Sequence, residues 1–252
     1  MTSLILSGAC GHMGRVIADT VRKKDDFEIV CGFDIKQDAA SPFPVYSSPK
    51  EFSGRADVII DFSKPSNLNG LLEYSVNNNI ALVIATTGFS EEEEHKIKEA
   101  SKFTRIFKSS NMSLGVNVLI NLSKQATNTL ANIADIEIIE KHHNKKVDAP
   151  SGTAKMIANA INKELDDSME FNYGRSGNDA KRKEKEIGIH AIRGGTIPGE
   201  HTVIFAGLDE IVEIKHTALS KKVFAQGSIK AAQYILNKEN GLYDMNNLIN
   251  NN

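Results

Sequence analysis

Gly8-Ala9-Cys10-Gly11-His12-Met13-Gly14 is the stretch on which the reading of the fold turns. It follows a short apolar run, Leu4-Ile5-Leu6, and precedes Val16, Ile17, Thr20 and Val21, which recur at helical spacing. Glycines between a strand and a helix permit a tight turn and a close backbone approach to a pyrophosphate, and let the helix pack against its strand. The first amides of that helix then face the phosphates with the positive end of the helix dipole behind them. A glycine pattern alone also marks plain turns. Its place between a strand and a helix favours a dinucleotide site lined by Gly8 to Met13.

Outward from this turn, short apolar runs alternate with helical patterns. Phe27 to Asp34, Val58 to Phe62, Ala81 to Thr86 and Thr104 to Lys108 read as further strands. A helical stretch covers about 67–77, and Ser90 followed by Glu93 is a capping box opening another helix. Such alternation predicts crossover units and a mainly parallel sheet covered on both faces. Asp34, about twenty residues beyond Gly14, ends the second strand where an acidic group commonly receives ribose hydroxyls. Lys36 is placed to meet a 2′-phosphate, so NADH and NADPH both stay open. Ala85-Thr86-Thr87 and Ser109-Ser110-Asn111-Met112 follow strands at the same sheet edge and are expected to line the nicotinamide pocket, with ordinary turn chemistry as the alternative.

The pattern changes after about Asn111. A helix is predicted over about 116–131, then a strand at 136–140, a helix near 153–165 and three strand-like runs at 187–193, 201–206 and 211–217. This is an α+β pattern with antiparallel pairs and a mixed sheet. Residues 175–186, polar and charged, read as a mobile loop. A final helix spans 223–236 with Gly227 as a weak spot, and the asparagine-rich end is expected to fray.

Thirty Lys and Arg balance thirty-two Asp and Glu, so no global field recruits nucleic acid or an anionic membrane surface. Two cysteines, Cys10 and Cys31, lack metal-ligand spacing and argue against a disulfide scaffold or a zinc site. No basic leader or membrane-length apolar run is present, and a cytoplasmic location is expected.

The chemistry concentrates in Glu140-Lys141-His142-His143-Asn144-Lys145-Lys146-Val147-Asp148-Ala149-Pro150-Ser151-Gly152-Thr153. Two histidines, followed by Lys145 and Lys146, leave a strand and run into a helix start, where Gly152 and Thr153 are expected to offer unpaired amides. A helix N-terminus beside lysines is an anion site suited to a carboxylate. Metal binding is disfavoured, because neighbours on a strand point to opposite faces and no third ligand lies at a helpful spacing. A basic, solvated loop is the plainer alternative.

From Leu4 to about Met245 the chain resembles the 4-hydroxy-tetrahydrodipicolinate reductase family, long called dihydrodipicolinate reductases. The carriers are the Gly8–Gly14 turn, Val83 to Phe89, Asn111 to Asn117, His142-His143 through Thr153, and Arg193-Gly194-Gly195 with Gly199 to Thr202. The resemblance implies that His142 is the acid/base residue and Lys146 the proton donor, with Lys145 and nearby cations lowering the lysine pKa. It implies that His143, Gly152 and Thr153 bind a cyclic dicarboxylate substrate. It further implies a Rossmann-type cofactor domain of residues 1–112 and 223–252, an inserted substrate and oligomerisation domain of residues 113–222, and a homotetramer. Two departures stand out: Cys10 where many relatives carry glycine, and Ile35 where some carry arginine, with Lys36 one place later. Two rivals are a different Rossmann dehydrogenase, which leaves the histidine–lysine loop unexplained, and a silent NAD(P) sensor, which would not need Lys146.

Overall fold

The computed structural model describes residues 1–36 and 40–250. In chain order the regular elements begin β1 (Thr2–Ser7), α1 (His12–Val21), β2 (Phe27–Phe33), β3 (Val45–Tyr46), β4 (Val58–Asp61), α2 (Leu68–Asn78), β5 (Ala81–Ile84), α3 (Glu91–Ala100) and β6 (Arg105–Lys108). They continue with α4 (Leu114–Leu130), β7 (Asp135–His142), α5 (Gly152–Lys163), β8 (Glu170–Asn172), β9 (Glu186–Arg193), β10 (Glu200–Ala206) and β11 (Ile211–Thr217). The last are α6 (Lys222–Leu236), β12 (Gly241–Tyr243) and α7 (Met245–Asn250). The chain divides into two compact units, Met1–Leu114 with Lys221–Asn252, and Gly115–Ser220.

In the first unit seven strands run in the order β12-β6-β5-β4-β1-β2-β3, all neighbours parallel. The central strands β4 and β5 are buried along their whole length. Leu4 and Leu6 join Val58, Ile60 and Phe107 in a cluster with Ile17 of α1 and Ile229 of α6. Ile5, Ile59, Leu82 and Ile106 turn the other way, onto Leu68 and Leu71 of α2 and Ile97 of α3. This period-two division explains why the central strands carry consecutive apolar residues, and each such side chain contributes roughly 1.5–3 kcal/mol by leaving water. Cys31 lies wholly buried in the second cluster, where burial pushes its thiol up to about 12 and leaves it a small apolar side chain. The Ser90–Glu93 capping box is formed: the Ser90 Oγ accepts from the Glu93 amide at 3.3 Å and the Glu93 carboxylate accepts from the Ser90 amide at 2.8 Å.

Three expectations need correction here. β3 and β12, both edge strands of three residues or fewer, carry no periodic signal, so the five strands read from sequence become seven. The asparagine-rich end does not fray through Asn250. Met245 and Leu248 are buried, and the Asp244 carboxylate accepts from the Asn247 amide at 3.0 Å, so α7 is seated and capped; Asn251 and Asn252 lie outside the described residues. Gly227 is a packing requirement rather than a weak spot, since a Cβ there would lie 1.7 Å from the Met112 carbonyl oxygen. Gly227→Ala is therefore expected to cost about 3 kcal/mol through overpacking, read as a lower urea midpoint. A loss below ~0.5 kcal/mol, the range of ordinary surface changes, would contradict that close approach.

The second unit has a five-stranded mixed sheet, β11-β10-β7-β9-β8, in which β10 is antiparallel to β7 and β11 while β9 is parallel to β7 and β8. Ile136 and Ile138, Ile187 and Ile189, and Val203 and Phe205 pack with Ile157 and Ile161 of α5 and Leu119 of α4. Segment 175–186 is irregular, but it is not a loose loop. Arg175 binds both Glu137 carboxylate oxygens, at 3.2 and 2.6 Å, and also Glu186, while Arg182 pairs with Glu137 at 3.2 Å and Asp135 at 2.8 Å. Charges that read as solvated in sequence are spent on one strand end.

Candidate active site

The nucleotide face of the first unit is built at the carboxyl ends of its strands. β1 sends the chain to β2 on one side, and β4 lies on the other, so the order reverses beside Gly8; this is the switch point at which open α/β sheets bind ligands. Gly8 has φ +78°, and a Cβ there would stand 2.6 Å from the Phe62 carbonyl oxygen. A Cβ at Gly14 would meet the carbonyl oxygens of Gly8 and Ala9 at 2.3 and 2.5 Å. The turn therefore tolerates no side chain at either place. Gly11 caps α1 without a side-chain hydrogen bond and the first turn has no acidic residue, so no charge of that turn opposes an anion at this helix N-terminus.

The carboxylate of Asp34 accepts from the Cys10 amide at 3.0 Å and from the Lys36 amide at 3.0 Å, which fixes the acidic group across the glycine turn. The Cys10 Sγ lies 3.0 Å from the Lys36 carbonyl oxygen. Ile35 and Lys36 are exposed. A cavity of about 210 Å³ lined by Ser7, Asp34, Ile35, Ser48, Ser66 and Asn67 opens beside them. Ser7, Ser48, Ser66 and Asn67 are residues to which the sequence pattern gave no role at the cofactor. This glycine turn, acidic residue and cavity fit a dinucleotide.

The other residues expected at the cofactor are placed variously. Thr87 and Ser110 are exposed, Ser109 and Ala85 partly so. The side chains of Ala9, Thr86, Asn111 and Met112 are buried, leaving backbone as what those positions can present. Thr86 donates its hydroxyl to the buried Asp61 carboxylate at 2.6 Å, and Ser63 donates to the same group at 2.5 Å. Burial pushes the Asp61 carboxyl upward despite these bonds.

The second unit holds the histidine–lysine segment. β7 ends at His142, whose carbonyl accepts from the Gly194 amide at 3.0 Å, while the Asn144 amide reaches Gly195 at 3.2 Å. Ser151 then caps α5, accepting from the Ala154 amide at 3.1 Å. Gly152 and Thr153 form the first turn of α5; nothing lies within 4 Å of where a Gly152 Cβ would stand, and the Gly152 amide donates to the Asp148 carboxylate. His142 Nδ1 lies 2.6 Å from Glu140 Oε2. Burial sets the His142 pKa below the ordinary imidazole value; Glu140 opposes that, while Lys146 and Arg193 reinforce it. Lys146 Nζ is paired with Asp148 Oδ1 at 2.8 Å, whereas Lys145 is exposed. The sequence reading put a cation beside Lys146; the structure puts a carboxylate there. Nδ1 of His143 is buried without a hydrogen-bond partner among the described residues.

The strand register brings in groups that sequence spacing could not. His142 stands opposite Arg193 on β9, and Glu140 opposite His201 on β10. His201 is buried, with its ring 5.2 Å from that of His142, edge to face. Burial, with the His142 charge adding to it, pushes the His201 pKa down to about 4, so it is neutral at ordinary pH. The Ser151 hydroxyl lies 2.9 Å from His201 Nε2.

A parallel sheet with a glycine-lined switch point and a separate histidine–lysine segment place the chain with the nicotinamide-dependent oxidoreductases. Residues 2–112 match the family described as dihydrodipicolinate reductase, N-terminus, and residues 115–249 match dihydrodipicolinate reductase, C-terminus. The chain is 49% identical over 249 residues to the 4-hydroxy-tetrahydrodipicolinate reductase of Clostridium novyi, covering 99% of this chain and 98% of that one. It is 51% identical over 249 residues to the enzyme of the same name from Caldanaerobacter subterraneus, at the same coverage. Among solved structures, the dipicolinate-bound dihydrodipicolinate reductase of Paenisporosarcina sp. TG-14 shares the fold with a TM-score of 0.82 at 22% identity, covering 97% of each chain. The chain belongs to the dihydrodipicolinate reductase family.

Proposed function

We propose that this protein reduces 4-hydroxy-tetrahydrodipicolinate to tetrahydrodipicolinate, with loss of water, on the diaminopimelate route to lysine. The observation that carries the reading is the β7–α5 segment, where an imidazole, an ammonium group and a helix N-terminus occur within a dozen residues. A bound reduced nicotinamide, NADH or NADPH, supplies the hydride. The glycine turn and Asp34 hold that cofactor. Asp34 suits the ribose hydroxyls of NADH, and the exposed Lys36 offers a point charge to the 2′-phosphate of NADPH, so both serve.

The remaining chemistry falls to the second unit. The amides of Gly152 and Thr153, with the Thr153 hydroxyl, hold one substrate carboxylate, and His143 binds the ring or its second carboxylate. Lys146 donates the proton required at the carbon beside the one reduced, and His142 acts as the acid/base group. The family relation supports a homotetramer in the cytoplasm. The apolar side chains of Ile192, Ile211 and Val212, exposed on the second unit, are consistent with assembly through its sheet.

Competition tests the anion site directly. Pyridine-2,6-dicarboxylate should compete with substrate, and Thr153→Val should weaken that inhibition and raise KM by about tenfold, the effect of losing about 1.4 kcal/mol, with kcat changed less. Absence of competition in the unaltered protein would remove the carboxylate-binding reading of this segment.

A further inference from the structure

We infer that Glu140 is the positioning residue that fixes the tautomer and orientation of His142, an inference that rests on the acid/base role proposed above for that histidine.

Glu140 is fully buried, a costly place for a carboxylate unless its oxygens are satisfied. Oε1 accepts from the Ser151 amide at 2.9 Å and from Arg193 Nη2 at 2.7 Å. Oε2 accepts from Arg193 Nη1 at 2.7 Å and lies 2.6 Å from His142 Nδ1. Burial alone would push this carboxyl upward, but Arg193, His142 and the Ser151 amide together hold it below the usual carboxylate range. An ionised carboxylate can only accept, so the proton of this contact resides on His142 Nδ1. Nε2 is then the nitrogen free to exchange a proton. It lies on the side of Gly199, where an added Cβ would stand 3.3 Å from it, so any side chain at that position would crowd this edge.

The same carboxylate ties the imidazole to the carboxylate-binding helix start, because the Ser151 amide it accepts from belongs to the α5 cap. A hydrophobic residue could fill the space, but it would set neither tautomer nor ring angle. The charged and titratable groups facing His142 are Glu140 on its own strand, Arg193 on β9, His201 on β10 and Lys146 on the following loop. Glu140 is the only one of these that favours the imidazolium.

The test has two arms. In the unaltered protein, nitrogen-15 spectra of His142 above its titration should show a protonated Nδ1 and a bare Nε2. In Glu140→Gln, the His142 midpoint and the limb of the kcat profile that it carries should both move to lower pH by about one unit. Turnover should fall about ten- to a hundredfold as the wrong tautomer becomes populated, while affinity for pyridine-2,6-dicarboxylate stays within about twofold. A bare Nδ1 in the unaltered protein overturns the inference even if the variant does not fold. An unmoved pH profile in a folded variant overturns it too. A protein with the expected tautomer and no reductase activity would instead refute the reaction, leaving the Glu140–His142 relation standing.

Discussion

Lys146→Ala is expected to lower kcat by about a thousandfold, the scale of a lost general acid, while affinity for the reduced nicotinamide changes little. The lysine lies in the second unit and the glycine turn in the first, so the substitution removes a proton donor and changes no residue of the cofactor cradle. Stability should hardly alter, because the Lys146–Asp148 pair is partly exposed and such pairs contribute at most about 1 kcal/mol. Lys146→Arg should not restore turnover, since a guanidinium does not give up its proton near neutral pH. His142→Gln should follow the same pattern less severely. Steady-state rates with cofactor titrations by fluorescence separate these effects. Near-normal turnover of Lys146→Ala would end its role as donor.

Arg193→Met should give the largest loss of stability, about 3–5 kcal/mol near neutral pH, because it strands the buried Glu140 carboxylate. Both guanidinium bonds to Glu140, at 2.7 Å each, are lost, together with the 2.6 Å bond to the Asp148 carbonyl. The sign of the pH dependence follows. In the native protein Glu140 titrates below its ordinary value, so its contribution is complete above the ordinary glutamate pKa and fades as pH falls through the depressed one. In the variant burial goes unopposed by arginine, and the carboxyl protonates more easily than in the unfolded chain. The gap between the two proteins must therefore narrow as pH is lowered. Urea melts at neutral and mildly acidic pH measure it; an equal gap at both, or a loss below ~1 kcal/mol, would show that the pair does not sustain the sheet.

How much of this could be read from the sequence depends on the range over which each signal acts. The glycine turn, the alternating apolar runs and the Ser90–Glu93 box are local patterns, and each lies in the structure where its residues place it. β12 is three residues long and exists through its partner β6, which no local pattern can announce. The charges of segment 175–186 look solvated until the fold brings Glu137 to them across 38 and 45 residues. The same holds at the candidate site. His142, His143, Lys146, Gly152 and Thr153 stand within one short segment and could be named together. Arg193 and His201 reach His142 only through strand register, 53 residues from Glu140 in the first case. Gly227 shows the opposite error, a propensity argument overruled by a close contact with Met112.

The most direct measurement is oxidation of NADH and NADPH, followed spectrophotometrically, with substrate generated in the cuvette by the aldolase that forms 4-hydroxy-tetrahydrodipicolinate. Both cofactors should be consumed in step with substrate, and Lys146→Ala should abolish most of that consumption while still binding the cofactor. Cofactor binding without any substrate-dependent oxidation would contradict the proposed reaction and leave a nucleotide-binding protein of another kind.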